Sequence, residues 1–349
     1  MFHVEHSPNT PPAPAHAAEA VELPRRRHWL IRAVVAVAIL VVLAFFGMRY
    51  RSDLWRLREV SPLLVAAIAL LWLLTRYLAA DVMRIALRAL GHRIGRYEAF
   101  MLQMVQSYGN TLVPRAGIGA PAVYLKLRHG TPFADLGAVQ LLPMTLLQIF
   151  TIGVMGLGCQ LVLWRFYGLP WERPLTVLFA AVSVGCVAPL LVPLPAARAG
   201  RGRVTRFLAR LVDAWHKLGE FNPLLLRVIA THAVMLVLRA WRIQLCFRAI
   251  GQPVHYFGAL TASLLADLAF GISVTPAALG FREGAIVYAS RVLQTTGDIA
   301  LAAAVLDRLI NTATTVIVGQ IGVWQLIRPA LRHPHATHVS SAPAGPTKA

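Results

Sequence analysis

Charged side chains stand within apolar stretches of this 349-residue chain, and they are the residues that could do chemistry. An ionisable group at membrane depth is costly unless it is paired or hydrated, so each one is a functional candidate. The clearest is the adjacent pair Arg282–Glu283, which follows Pro276 and Gly280. Backbone N–H groups freed at a helix break, together with a guanidinium, can hold a phosphate. A structural ion pair that braces the break is the alternative.

A second charged pair, Asp307–Arg308, lies well inside the last apolar segment. We expect this pair to face the interior of a helix bundle, where Asp307 contacts a substrate or forms a structural pair with Arg282 or Arg239. Further candidates are Arg239, Arg242 and Asp267. Arg239 and Arg242 could instead lie near a membrane interface and extend their guanidinium groups to the lipid headgroups.

Another break with similar residue types occurs earlier in the chain. Segment 97–113 is only moderately apolar and runs into Pro114, Arg115 and Gly117. A short polar helix that breaks at proline and glycine predicts a half-helix dipping into the membrane rather than a full span. Asn110 could line a hydrophilic cavity or hydrogen-bond between helices. The candidate substrate-binding residues are therefore Asn110, Pro114, Arg115, Gly117, Arg239, Pro276, Gly280, Arg282, Glu283, Asp307 and Arg308.

The composition indicates the class of protein that must position these residues. The chain is 57% hydrophobic and 14% charged, whereas soluble domains carry about 25% charged residues. Several apolar runs approach or exceed the roughly 20 residues that cross a bilayer as a helix. We therefore predict an all-α polytopic membrane protein with about six spans and two re-entrant or broken segments, 97–113 and 256–274. The predicted spans are 29–48, 61–78, 133–166, 174–193, 223–250 and 299–327.

The basic residues far outnumber the acidic ones, giving a formal charge of +19. Because the arginines alternate with apolar spans, the positive-inside rule explains this excess better than nucleic-acid binding. The basic connection 196–222 and both termini are predicted to be cytoplasmic. Cys159, Cys186 and Cys246 fall in apolar runs without metal-ligand or disulfide spacing. We expect neither a metal nor a cofactor.

The domain prediction consists of a disordered tail at 1–27, a transmembrane domain at 28–328 and a disordered tail at 329–349. Within the domain, Arg88-Ala-Leu-Gly91 matches Arg248-Ala-Ile-Gly251. This match suggests half-repeats at about 61–166 and 223–327, with chance similarity as the alternative. The predicted topology makes the halves inverted, and transporters often build a central site between inverted repeats.

Three passages stand out in the chain: residues 76–91, 110–125 and 276–284, the last reading Pro-Ala-Ala-Leu-Gly-Phe-Arg-Glu-Gly. They resemble the flippase-like membrane family represented by the transmembrane region of lysylphosphatidylglycerol synthase, and the last is similar to the family's Pro-Gly-Gly-x-Gly-x-Arg-Glu pattern. The resemblance covers about residues 29–328. Ala120, Val123 and Ala278 depart from the residues usual in the family. Synthase activity is not expected, because the aminoacyl-transferase domain would require a large soluble C-terminal region.

The function expected from these features is a lipid translocase that moves a lipid with an anionic phosphate-bearing head between leaflets. An accessory subunit of a cell-envelope lipid or glycan transferase system is the second hypothesis. A lipid-modifying enzyme using Glu283 or Asp307 as a base is the third, without a recognisable nucleophile or metal cluster to support it. We expect no catalytic residues, an anionic lipid as substrate, a bacterial-type cytoplasmic membrane, and either a homo-oligomer or an envelope-biosynthesis partner. Phosphatidylglycerol derivatives and polyprenyl phosphates both fit the resemblance.

Overall fold

The computed structural model describes residues 60–112, 116–169, 172–191, 209, 212–213, 222–272 and 280–332, and it contains no strand in these residues. The all-α prediction is therefore confirmed. The helices are α1 Pro62–Ala89, α2 Arg96–Leu112, α3 Gly119–His129, α4 Phe133–Tyr167, α5 Arg173–Leu191, α6 Asn222–Ala249, α7 Tyr256–Ile272, α8 Phe281–Tyr288, α9 Ser290–Leu293 and α10 Gly297–Gly322. A 3-10 turn, Ala116–Ile118, precedes α3. A π turn, Val323–Ile327, extends α10 into Arg328–Arg332.

Four of these helices are long and apolar enough to cross a membrane. They are α1, α4, α6 and the extended α10, whose candidate spans contain 28, 35, 27 and 34 residues. Helix α5 contains a shorter apolar stretch, Arg173–Val187. Helix α1 runs past the predicted end of its span at residue 78. Several predicted segments lie outside the described residues. They are the first span at 29–48, the 1–27 tail, residues 333–349 of the C-terminal tail and most of the 196–222 connection.

The two segments predicted to be broken are both short helices. Helices α2 and α7 have 17 residues each, which is about 25 Å at the usual rise per residue. That length falls short of the hydrocarbon thickness of about 30 Å. Each helix ends before a segment that lies outside the described residues, and a further helix follows. Re-entry into the membrane remains a prediction.

Helices α1 and α6 have equal lengths of 28 residues and end in the same way. Each is followed by a glycine with positive φ, 90° at Gly91 and 79° at Gly251. The N–H of the next residue donates to the carbonyl five positions back, at 2.9 and 3.0 Å. This left-handed glycine cap is a common helix terminator. It lets the chain reverse sharply, so α2 packs against α1 and α7 packs against α6.

Helices α1 and α6 also pack against each other and run antiparallel. Near the end of α1, the Oδ2 atom of Asp81 lies 3.4 Å from the Nη2 atom of Arg227, at the beginning of α6. Earlier in α1, Trp72 lies beside Arg242, which is much later in α6. Helices α1 and α6, which come before the broken segments α2 and α7, therefore run in opposite directions.

The broken segments pack reciprocally on the final long helices of the two halves. Helix α2 rests on α10, where a Cβ on Gly319 would lie 2.6 Å from the Cβ of Tyr108. Glycine at this position lets the two helices approach closely, as is common between membrane helices. Helix α7 rests on α4, and the ring of His255 stacks on Tyr167 with centroids 5.1 Å apart.

Many of the buried apolar side chains group into two clusters. One is built mainly from α6, α7 and α10 with parts of α4 and α5, around residues such as Phe179 and Phe247. The other joins α1, α2, α3 and the first half of α4, around residues such as Leu87 and Leu142. Pro143 lies within a π turn of α4, Leu142–Leu146. The Pro143 carbonyl lies 2.8 Å from His232 Nε2 on α6.

A hydrogen-bonded clasp closes the hairpin formed by α2 and α3. Glu98, in the first turn of α2, accepts bonds from the Tyr124 hydroxyl (2.6 Å) and His129 Nε2 (2.7 Å). Its second oxygen accepts from the Gly95 N–H at 3.3 Å. Burial alone would favour the neutral acid, but the bonds from His129 and Tyr124 outweigh it and lower the pKa of Glu98. The clasp therefore favours the carboxylate form.

Acidification should weaken this clasp. Because the pKa of Glu98 is lowered in the folded protein, its contribution is complete above the ordinary value of 4.5 and is lost as the pH falls through the lower folded value. Thermal unfolding of purified wild type and Glu98→Gln between about pH 6 and about pH 3.5 measures this contribution. We expect the wild type to lose more stability than the variant. Parallel losses would show that Glu98 contributes no pH-dependent stability.

A pair of glycines on α4 tests the close packing against α5. A Cβ on Gly156 would lie 2.3 Å from the buried ring of Phe179, whereas a Cβ on Gly158 meets nothing within 4 Å. Gly156→Ala should therefore destabilise by about 1–3 kcal/mol through overpacking. Gly158→Ala should be neutral or stabilising, because alanine favours a helix over glycine by about 1 kcal/mol. Thermal unfolding in one detergent compares them, and equal effects would contradict the packing.

Candidate functional site

Asp307, in the middle of α10, is the centre of a buried ionic cluster. Its side chain is 1% exposed, and it accepts bonds from Arg242 Nε at 2.6 Å and Arg282 Nη2 at 2.5 Å. The amide of Asn311, one turn later on α10, donates to the same carboxylate at 2.9 Å. Arg242 comes from α6 and Arg282 from α8. One carboxylate thus joins three helices and serves two guanidinium groups.

A second ion pair lies beside the first. Glu283 pairs with Arg308, again joining α8 to α10. The other oxygen of Glu283 accepts the Gly280 N–H at 2.9 Å, so the carboxylate reaches back over the first turn of α8. Gly280 has φ of 82°, a backbone conformation that favours glycine. The residues singled out at the second break therefore fix the beginning of α8 to the last long helix.

The pairing differs from the simplest sequence interpretation. Arg282 and Glu283 are adjacent in sequence, and one prediction had them brace the break as a pair. In the structure each pairs with the complementary member of Asp307–Arg308 on α10. The predicted pairing of Asp307 with Arg282 is present. Arg239, the other predicted partner of Asp307, forms an ion pair with a different carboxylate.

Arg239 pairs with Asp267 on α7. With its amide oriented to satisfy both neighbours, Gln148 on α4 accepts a bond from Arg239 at 3.1 Å and donates one to the Met144 carbonyl at 3.1 Å. Arg239 is 7% exposed and Arg242 is 2% exposed. The interpretation that these arginines extend to lipid headgroups is therefore wrong. Three residues apart on α6, both side chains turn into the bundle and form buried ion pairs.

Trp72 forms an aromatic part of the cluster that was not among the predicted site residues. The guanidinium carbons of Arg76 and Arg242 lie 4.0 and 5.0 Å from the centre of the Trp72 ring. The indole N–H donates to Thr315 on α10 at 3.1 Å, which fixes the ring between α1 and α10. The spacing of Trp72 and Arg76, four residues apart on a helix, was an available signal. It was overlooked because the predicted span ended at residue 78, which placed Arg76 in an arginine-rich helix end.

The first break has a different organisation. The side-chain oxygen of Asn110 accepts the backbone N–H of Gly117 at 2.9 Å. A Cβ on Gly109 would lie 2.7 Å from the Cα of Gly117, so the chain folds tightly on itself here. Asn110 therefore closes the turn, and its described hydrogen bond does not join it to the Asp307 cluster. Pro114, Arg115 and Pro276, also predicted as site residues, lie outside the described residues.

The membrane-length helices and the ionic centre between them define a multi-pass, all-α membrane protein. The chain belongs to the family described as the lysylphosphatidylglycerol synthase TM region, whose family model matches residues 29–319. The resemblance drawn from the three sequence passages is thereby confirmed. This family places the protein in a lipid-related membrane process. No curated protein matches the chain.

Removing the shared carboxylate should be costly. Asp307→Asn leaves two buried guanidinium groups without their anion, and breaking a buried pair in this way costs about 3–5 kcal/mol. Asp298→Asn is the matched control, because Asp298 is exposed in the first turn of the same helix. Its effect should stay within about 1 kcal/mol. Thermal unfolding of both variants in detergent makes the comparison, and similar losses would contradict the role assigned to Asp307.

Proposed function

We propose that this protein is a lipid translocase that moves a lipid with an anionic, phosphate-bearing head between the leaflets of a cytoplasmic membrane. The observation that carries this proposal is the buried excess of arginine around Asp307. Arg242 and Arg282 share that one carboxylate, and Arg76 lies beside them without a carboxylate partner among the described residues. An unbalanced positive centre at membrane depth favours an anionic ligand.

Arg282 is the group best placed to exchange partners. Its side chain is 18% exposed, whereas Asp307 is 1% exposed. When Arg282 turns to a phosphate, Asp307 keeps its bonds to Arg242 and Asn311 and is not left unpaired. The guanidinium replaces part of the water that a headgroup loses inside the membrane. The acyl chains can stay in the bilayer throughout, so only the headgroup needs a polar path.

The two broken segments are the proposed gates on either side of this centre. We propose that the halves form an inverted repeat, with both termini cytoplasmic. The equal lengths and glycine caps of α1 and α6, and their antiparallel packing, support this arrangement. The reciprocal packing of α2 on α10 and α7 on α4 supports it as well. Sites between inverted repeats allow alternating access by rocking one half against the other.

We propose no catalytic role for the cluster. Glu283 and Asp307, the carboxylates that an enzyme could use as bases, both accept bonds from arginine side chains. Carboxylate oxygens that already accept these bonds are not free to take a proton from a substrate. The proposed partner is thus the lipid itself. An accessory role in an envelope transferase system is the competing function, and transport measurements distinguish the two.

Leaflet exchange of fluorescent lipids in liposomes tests the proposal. The panel contains phosphatidylglycerol, its lysyl derivative and a polyprenyl phosphate. We expect wild type to accelerate exchange of at least one anionic lipid. Arg282→Gln should reduce that rate about 10- to 100-fold, since a hydrogen bond to a charged group contributes about 1.5–3 kcal/mol. Arg248→Gln, which removes an exposed arginine from the end of α6, should leave the rate unchanged.

The outcome also separates the competing functions. Exchange of no lipid by inserted, folded protein would overturn the translocase proposal and favour the accessory role. Equal losses in Arg282→Gln and Arg248→Gln would show that surface charge, and not the buried cluster, drives exchange. The Glu283→Ala variant tests the structural role of Glu283, because it removes the Arg308 ion pair and the Gly280 hydrogen bond together.

A further inference from the structure

The arrangement around Trp72 leaves guanidinium donors unused. The indole ring contacts Arg76 and Arg242 through its π face, and such a contact stabilises a cation without consuming N–H groups. Arg242 gives its Nε to Asp307, but its Nη1 is buried without a hydrogen-bond partner among the described residues. The Nε of Arg76 is likewise buried, and no residue in the described part of the chain accepts a bond from it. Two cations thus meet at one aromatic ring with free donors.

Unused donors of this kind are costly and rare. A buried donor without a partner loses about 1–3 kcal/mol relative to its state in water, and more when it is charged. Each unsatisfied group in a folded protein therefore calls for an explanation, such as a ligand that completes it. The donors here belong to α1 and α6, the two antiparallel helices that precede the breaks. A ligand bound by both would lie between the proposed halves.

The local charge specifies the ligand further. The charges that act on the Arg76 guanidinium come from Arg239, Arg242, Arg282 and Asp267. Arg239 and Asp267 form a pair and cancel. The remaining described groups around the ring are Arg76, Arg242 and Arg282 against the single carboxylate of Asp307. The centre therefore carries two positive charges more than negative ones.

We propose that Arg76 and Arg242, aligned on Trp72, bind a phosphate monoester head as a dianion. A monoester carries about 1.5 to 2 negative charges at neutral pH, because its second pKa is about 6. It would neutralise both excess charges and offer three oxygens to the unused N–H groups. A phosphodiester carries one negative charge and would leave one arginine unbalanced. The monoester's identity as the transported lipid rests on the proposed function, whereas its binding does not.

Binding to the purified full chain in detergent tests the site. The probes are dioctanoyl phosphatidic acid, a monoester, and dioctanoyl phosphatidylglycerol, a diester with the same acyl chains. At about pH 7.5 the monoester should bind at least about tenfold more tightly, and this preference should shrink at about pH 5, where its second proton returns. Equal affinity at neutral pH, or a preference that does not change with pH, would overturn the inference.

Arg76→Gln locates the preference in the structure. Arg76 makes no ion pair among the described residues, so its removal leaves no carboxylate unpaired and the fold should persist. We expect the variant to bind the monoester about as weakly as the diester, with diester binding little changed. Arg88→Gln, which removes an exposed arginine later on α1, should keep the full preference. Retention of the preference in Arg76→Gln would contradict the assignment.

Inorganic phosphate distinguishes a lipid head from a free anion. It presents the same dianion without acyl chains, so it should compete only weakly with phosphatidic acid. Competition at equal concentration would assign the site to soluble phosphate and overturn the lipid assignment. Monoester preference without leaflet exchange would support this site while removing the translocase function. Leaflet exchange without monoester preference would support the translocase function and overturn this site.

Discussion

The sharing of Asp307 between Arg242 and Arg282 is the interaction on which the centre of this protein depends. Lipid tails are as apolar as leucine, so the helices gain little from hydrophobic burial against one another. Polar contacts and close packing must then hold them in register. The carboxylate of Asp307 connects α6, α8 and α10 through buried bonds of 2.5 and 2.6 Å. Helix α8 has eight residues, and these pairs fix its first turn to α10.

A helix break inside a membrane creates unsatisfied backbone groups, and the second break shows how this protein satisfies one of them. Glu283 uses one oxygen for the Gly280 N–H and the other for Arg308. The same side chain therefore satisfies the backbone and neutralises an arginine. Non-helical backbone is tolerated at membrane depth only where such partners exist. The polar groups that make the break stable are also the groups that the proposed function assigns to a headgroup.

Much of this organisation could be predicted from the residues. The apolar runs indicated the long helices, and the matching Arg-Ala-x-Gly sequences, which suggested two halves, lie at the ends of α1 and α6. The charged dipeptides at 282–283 and 307–308 were selected as candidates, and in the structure they pair with each other. Their partners were not predictable, because pairing depends on the rotation of α8 against α10. Arg239 and Arg242 were ambiguous for a similar reason, since either face of a long apolar helix can turn toward lipid. Arg76 was missed because the predicted span ended at residue 78, whereas α1 continues through Asp81 and Arg84, which pair within the helix at 2.6 Å.

The packing of α2 against α10 has a consequence for how the chain is made. Tyr108 meets Gly319, a partner synthesised 211 residues later. At synthesis rates of about 5–20 residues per second, α2 waits roughly 10–40 s for the surface it rests on. Helix α7 has no such delay, because α4 already exists when it emerges. Helix α7 therefore packs on a helix that is already present. The moderately apolar α2, in contrast, lacks its partner α10 until the chain is nearly complete.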